Sequence, residues 1–382
     1  MKTYKHIFDK ITSKEKIKEA ILNASKYKTG RGKVKRVLED IDRYVDVTQR
    51  ILREHSYEPE KEMLHTINEG ISKKTREIEK PKFFPKQVVE NVLILGLKPI
   101  VLKSLYKYAY GSLENRGVDQ AKDVMEKWIQ NDVKGTKYCF QCDIKKFYPS
   151  INQNILIERY EKIIKDEEFL IENSKIIRSS PKGLGLGAPT SIWHSHFYLT
   201  PLDHYITQLD GVTHYLRYAD DMFIFGNNKR KLKDVSEKII EYISEELYLK
   251  IKKNHQIFKV SYTDKNGNIH GRPVNAVGYL FYRDRTILRE QHMLKTTEKA
   301  RKLKKKKDEK KNISSHEACQ IVCRAGKLKC ADTFNVFDNH ISGNVNIRRM
   351  KLIIAIDAMK KNGCKDPYRK KKKKKGKRKN KR

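Results

Sequence analysis

HYLRYADDMFIFG, residues 214–226, consists of two short apolar runs around an Ala-Asp-Asp tip. Each run has strand length and the break between them is polar. The pattern predicts a β-hairpin carrying Asp220 and Asp221 at its turn. Alone, an Asp-Asp pair is most simply a polar turn. Upstream, KYCFQCDIKKFYPSI (137–151) reads as an apolar strand ending in Asp143, then a turn into a helix. Between Asp143 and Asp220, 77 residues apart, lies GLGLGAPTSIWHSHFYLTPLDHYI (183–206), a Gly-rich loop feeding a long helix. Strand ends place carboxylates at a sheet edge, where separate strands converge. Crowded carboxylates repel unless cations neutralise them. Magnesium prefers oxygen ligands and keeps positions open for phosphates. Two such ions about 4 Å apart support in-line phosphoryl displacement. The pattern points to nucleotidyl transfer.

The rest of the chain frames this region. Residues 1 to about 60 are basic and helically patterned, with ITSKEKIKEAILNASK and KVKRVLEDIDRYVDVTQRILRE joined by the basic turn KYKTGRGK (26–33). KTREIEKPKFFP reads as strand and loop. Helices are expected over Gln87–Ala109 and Val118–Gln130. After the hairpin come an amphipathic helix (229–247), a strand YLKIKKNHQIFKV (248–260) and a second hairpin, AVGYLFYRDRTILR (276–289). Residues 291–311 form a very basic helix, and 315 to about 361 a small helical domain. The last 14 residues, RKKKKKKGKRKNKR, hold 12 basic ones and are expected to be disordered when free.

Composition narrows the partners. Among 382 residues, 84 are Lys or Arg and 47 are Asp or Glu, a formal charge of +37. Such an excess implies a polyanion, either nucleic acid or an anionic membrane. No apolar stretch approaches the roughly 18 residues of a membrane span. The N-terminus lacks the apolar run of a signal peptide, so a cytoplasmic nucleic-acid protein is the simplest expectation. Cys139 and Cys142 have C-x-x-C spacing, but on a strand residues three apart face opposite ways. They read as buried reduced thiols, not a zinc site. His194 and His196 are two apart on a helix and share no face, so they are poor joint ligands.

DIKKFYPSI (143–151), GLGLGAPTS (183–191) and YADD (218–221) resemble, in the right order, the three central palm motifs of reverse transcriptases. LYLKIKKN (247–254) and AVGYLFYRDRTILR resemble the next two, the last being the primer-grip hairpin. KKTREIEKPKFFPKQVVENVL (73–93) is similar to the fingers motif, and YAYGSLENRGVDQAKDVMEKWI (108–129) to the stretch after it. The similarity is greatest to prokaryotic members: phage, diversity-generating and defence-associated enzymes.

The resemblance implies an α+β right-hand fold: N-terminal helices and fingers over 1–137, an antiparallel palm over 138–290, a helical thumb over 291–364, and a basic tail, 365–382. It implies an RNA-directed DNA polymerase with Asp143, Asp220 and Asp221 as catalytic carboxylates. The same three residues, with the Ile144 carbonyl, would hold two Mg2+ ions, for which Mn2+ can substitute. Tyr148 matches the aromatic gate against a 2′-hydroxyl. Arg76 and Lys74 match the cations on the incoming triphosphate, where guanidinium suits phosphate geometry. Leu186 and Gly187 fall in the nucleotide-contacting loop, and Lys252 or Lys253 near the leaving pyrophosphate. Lys304, Lys305, Lys306 and Lys307 on the thumb helix, and Lys371 and Lys372 in the tail, are expected to hold nucleic acid. The implied partners are an RNA template from a dedicated non-coding or retroelement RNA, a nucleic-acid primer and dNTPs, with room for an accessory protein and no membrane. One departure stands out. Gly185-Leu186-Gly187 replaces the usual Pro-Gln-Gly, and Leu186 cannot give the glutamine's hydrogen bond, which implies reduced fidelity. Two other readings remain: a defence enzyme making DNA with little templating, and a non-catalytic, maturase-like RNA binder.

Overall fold

The computed structural model describes residues 3–60, 64–68 and 75–361. The chain divides into two compact units, Met1–Val277 and Gly278–Arg382.

In the first unit the helices α1 (Ile7–Ile11), α2 (Lys14–Ser25), α3 (Gly32–Glu39) and α4 (Ile41–Arg53) precede a hairpin, β1 (Leu64–Asn68) and β2 (Thr75–Glu79). There follow α5 (Val88–Ser104), β3 (Ala109–Tyr110), α6 (Val118–Asn131), β4 (Tyr138–Asp143), α7 (Phe147–Ser150), α8 (Gln153–Ile163), α9 (Glu167–Arg178) and α10 (Pro189–Gln208). The expected hairpin is β5 (His214–Tyr218) and β6 (Asp221–Gly226), followed by α11 (Lys229–Glu245) and β7 (Gln256–Lys259). A small hairpin, β8 (Tyr262–Thr263) and β9 (Ile269–His270), and the short β10 (Val274–Ala276) complete the unit.

The central sheet runs β3-β5-β6-β4-β7. It is antiparallel except at its edge, where β3 pairs parallel with β5. Met222, Phe223, Ile224 and Phe225 of β6 are all buried. A strand apolar on both faces belongs inside a covered sheet. Helix α11 packs on β4, β6 and β7, while α10 packs on α5, itself held by α2. Helix α10 is mostly buried, including Tyr198, Leu199, Leu202 and Ile206, and begins with Pro189 in its first turn, where a missing N–H costs nothing.

Two sequence expectations change here, and one hairpin was not foreseen. Helix α5 stops at Ser104 and not at Ala109, because Ala109 and Tyr110 are drawn into the sheet beside Arg217 and Tyr218. The long strand expected over 248–260 is two pieces. Ile251 bridges Ile144, and only Gln256–Lys259 forms β7. The β8–β9 hairpin turns on Asp264, whose carboxylate accepts the Asn266 and Asn268 N–H groups, a local signal not read from the sequence.

The second unit opens with the expected hairpin, β11 (Tyr279–Phe281) and β12 (Thr286–Leu288). Four α-helices follow among the described residues, α12 (Glu290–Asp308), α13 (Ser315–Lys329), α14 (Phe334–Phe337) and α15 (Ile347–Lys361), with a π-helical turn at Asp338–Ser342 after α14. Ser314 and Glu317 form a reciprocal capping box at the start of α13. Leu303, Ile321, Leu328, Ile341 and Met350 are buried among these helices. No helix among the described residues is long and apolar enough to cross a membrane.

Candidate active site

Register brings the acids together. In the β4–β6 ladder Asp143 lies opposite Asp221, and in the β5–β6 ladder Tyr218 lies opposite Asp221. Ala219 and Asp220 form the turn. Ala219 sits at φ +54°, a left-handed conformation uncommon outside glycine, and its N–H donates to the Tyr110 carbonyl at 2.8 Å. The Asp220 carboxyl is pushed up to about 7, first by burial and then by the charges of Asp143 and Asp221. Crowding of carboxylates is therefore real here.

Asp143 is held through one carboxylate oxygen and left without a hydrogen bond at the other. Its Oδ2 accepts the Lys252 ammonium, and its backbone carbonyl accepts the Lys252 N–H at 2.9 Å. Its Oδ1 is buried with no hydrogen-bond partner. Ile144 is fully buried and bridged to Ile251. Among the described residues, no three His, Cys, Asp or Glu side chains close round a metal ion as they stand. The donor set nevertheless fits a hard divalent cation: oxygen ligands only, one orphaned buried carboxylate oxygen, and a neighbouring carboxyl whose negative form is disfavoured for want of positive charge. Of the two candidate lysines, Lys252 is the one on Asp143, while Lys253 is exposed.

Tyr148 stands on the short α7. Its hydroxyl receives the Ser195 Oγ–H at 3.4 Å from α10, and burial pushes its phenol up. Its carbonyl accepts the Leu184 N–H at 2.9 Å. The Gly-rich loop is thus tied at one end to Tyr148. At its other end the Leu186 carbonyl accepts the Glu79 N–H at 2.8 Å, at the end of β2. Gly187, at φ +115°, faces the Glu79 carbonyl where a Cβ would collide. Gly185 lies equally close to the Glu79 carboxylate. These approaches explain the glycines without a nucleotide. Leu186 itself is half-buried.

Arg76 is exposed on β2, paired with Ile67 across the hairpin. Lys74, Lys371 and Lys372 lie outside the described residues. Lys304, Lys305 and Lys307 are exposed on α12. Lys306 is engaged by Glu317 at 2.9 Å. Cys139 and Cys142 are both buried and free.

Sequence reasoning missed a buried polar network behind the turn. Arg217, 1% exposed, grips Asp203 of α10 through two bonds of 2.7 and 2.6 Å. Tyr215 donates to the same carboxylate at 2.7 Å, and Arg217 also donates to the Ala219 carbonyl at 3.0 Å. His196 meets Arg217 at 3.4 Å and the Gly111 carbonyl at 2.9 Å. Burial pushes both His194 and His196 down to about 3, so both are neutral. The signal was an arginine inside the apolar run HYLRY and an aspartate inside a buried helix. Each demands a partner.

The match to the family model for "Reverse transcriptase (RNA-dependent DNA polymerase)" covers residues 71–280, more than half of the chain. No curated protein sequence matches. Among solved structures, apo telomerase from Candida tropicalis is similar at TM-score 0.47 and 13% identity, over 83% of this chain and 62% of that one. Telomerase from Candida albicans, in complex with a fragment of telomeric RNA, gives TM-score 0.44 and 11% identity, over 82% and 59%. The chain thus spans about three-fifths of these proteins' length, and at such scores they place no residue. The family match covers both Asp motifs, the Gly-rich loop and the hairpin, and the α+β fold agrees with it. The chain belongs to the reverse transcriptase family of RNA-directed DNA polymerases.

Proposed function

We propose that the chain copies an RNA template into DNA at Asp143, Asp220 and Asp221, using two Mg2+ ions. The observation that carries this is the crowding of the three carboxylates, with Asp220 pushed up to about 7 beside an unpartnered oxygen of Asp143. When bound, divalent magnesium lowers the pKa of the primer 3′-hydroxyl and neutralises charge on the departing pyrophosphate. Asp143, Asp220 and Asp221 hold it, with the Ile144 carbonyl beside them. Lys252 keeps Asp143 neutralised beforehand and stands ready near the pyrophosphate. The Tyr148 ring fills the space a ribose 2′-hydroxyl needs, so deoxynucleotides are preferred. Arg76 and Lys74 bind the triphosphate, and the Leu186–Gly187 loop lies under the nucleotide. We assign residues 1–137 to fingers, 138–290 to palm and 291–364 to thumb. Lys304, Lys305, Lys307 and the tail, with Lys371 and Lys372, hold the primer–template backbone.

The test is primer extension on a defined RNA template with dNTPs and Mg2+. Asp220→Asn keeps size but removes charge. Losing several kcal/mol of charge stabilisation corresponds to a fall of about a hundredfold or more in rate, with RNA affinity retained. Extension at the wild-type rate would remove Asp220 from the catalytic set.

A further inference from the structure

Helix α2 ends at Ser25 with Lys26 as its cap, and Tyr27 is the residue after it. Tyr27 has φ +63°. Glycine usually takes this position, because a Cβ in left-handed backbone costs about 1–2 kcal/mol. Here a tyrosine takes it, and its ring is fully in solvent at 104% relative exposure. Neither helix termination nor core packing accounts for an aromatic at this point. Residues 26–38, KYKTGRGKVKRVL, contain six cations and no acid. Lys26, Arg31 and Lys33 are exposed, and none has a carboxylate within ion-pair distance among the described residues.

The turn is also fixed in place. The Lys28 N–H donates to the Ser25 carbonyl and the Arg31 N–H to the Lys28 carbonyl, both at 2.9 Å. The Lys28 amine donates to Gln87 Oε1 at 2.6 Å, which ties the turn to the residue before α5. A hydrogen-bonded turn therefore holds out one aromatic face among cations that have no carboxylate partner among the described residues.

We propose that the turn Lys26–Lys33 is a second contact for single-stranded RNA, in which Tyr27 stacks on an unpaired base and Lys26, Arg31 and Lys33 take the flanking phosphates. An aromatic ring stacks on any base face, so the contact is tolerant of sequence, and the cations track the backbone. Duplex RNA hides its base faces and offers Tyr27 nothing to stack on. The contact involves none of the catalytic carboxylates, and its readout is binding, so its failure and that of the catalytic assignment are separable.

The experiment measures binding of the full chain, without divalent metal, to a fluorescent single-stranded RNA 20-mer and to a blunt RNA duplex. Tyr27→Ala should weaken binding to the single strand about fivefold or more, as expected for one lost stack, and leave duplex binding unchanged. Tyr27→Phe should bind as wild type. Tyr27→Gly separates function from structure: thermal stability should rise because the left-handed strain is relieved, while single-strand affinity falls. Arg31→Gln with Lys33→Gln should flatten the dependence of log K on log salt by roughly 1.4, about 0.7 for each phosphate contact. Wild-type single-strand affinity in Tyr27→Ala would overturn the proposal. So would an equal loss on single strand and duplex, or a Tyr27-dependent affinity for anionic phosphatidylserine vesicles alone.

Discussion

Tyr148 shows how much one side chain can be asked to decide. It lies five residues after Asp143, its hydroxyl takes a hydrogen bond from Ser195, and its carbonyl carries the Gly-rich loop through the Leu184 N–H. The hydroxyl is therefore held from the helix side and the backbone from the loop side. On the proposed gate role, Tyr148→Ala would open volume beside the sugar 2′ position. We expect rNTP incorporation to rise at least about tenfold relative to dNTP, equivalent to some 1.4 kcal/mol of lost discrimination. Single-nucleotide extension with each substrate measures it, and an unchanged ratio would strip Tyr148 of the gate role. The sequence marked such candidates because spacing carries them: Asp143, Tyr148 and Asp220 are each flagged by neighbours a few positions away. It could not choose between Lys252 and Lys253. Only the bridge between Ile144 and Ile251 determines which amine meets Asp143. The pairing of Arg217 with Asp203 was invisible for a related reason. Each residue stands out as a charge in an apolar stretch, but which strand residue pairs with which helix residue is fixed only by the fold.

At the scale of elements, the join between β2, α5 and the Gly-rich loop is the most constrained. Glu79 receives the loop at its backbone, while Glu90, one turn into α5, accepts both the N–H and the hydroxyl of Thr190 at 3.2 Å. Burial, before any other influence, pushes the Glu90 carboxyl up to about 7 from 4.5. Below about pH 4.5 the group is protonated whether the chain is folded or not. Between 4.5 and 7 the unfolded chain has lost a proton that the folded chain keeps, so stability falls as pH rises and levels off above 7. The whole effect is up to about 3 kcal/mol. Urea unfolding of wild type and Glu90→Gln from pH 5 to 8 should show the variant gaining on wild type as pH rises. Parallel curves would mean that Glu90 titrates normally. Elements with strong period or composition, such as α2, α10, α11 and the β5–β6 hairpin, were readable from sequence. The two-residue β3 was not, since Ala109-Tyr110 has no pattern of its own and becomes a strand only because Arg217 and Tyr218 lie alongside. Nor was the break in 248–260, where a bridge and a short strand replace one long strand.

At the scale of the molecule, the charge of +37 is the dominant fact, and 12 of its contributors lie in the last 14 residues. If Z of them meet single-stranded phosphate, the slope of log K against log salt carries about −0.7Z from the tail alone. Truncation after Tyr368 should therefore weaken RNA binding and make it less sensitive to salt, which anisotropy titrations across salt would register. An unchanged slope would place the tail off the nucleic acid. The order of strands in the sheet has another consequence. β4, which carries Asp143, is hydrogen-bonded on one side to β6 and on the other to β7, and both come later in the chain. During synthesis β4 leaves the ribosome with neither neighbour yet made. It waits as a bare apolar strand until β6 has followed it, and keeps its other edge open until β7 is made. Such a strand is prone to pair with the wrong partner. The acidic cluster cannot assemble before the β5–β6 hairpin has closed on β4, so for as long as β4 stands alone a nascent chain has Asp143 but no acids opposite it.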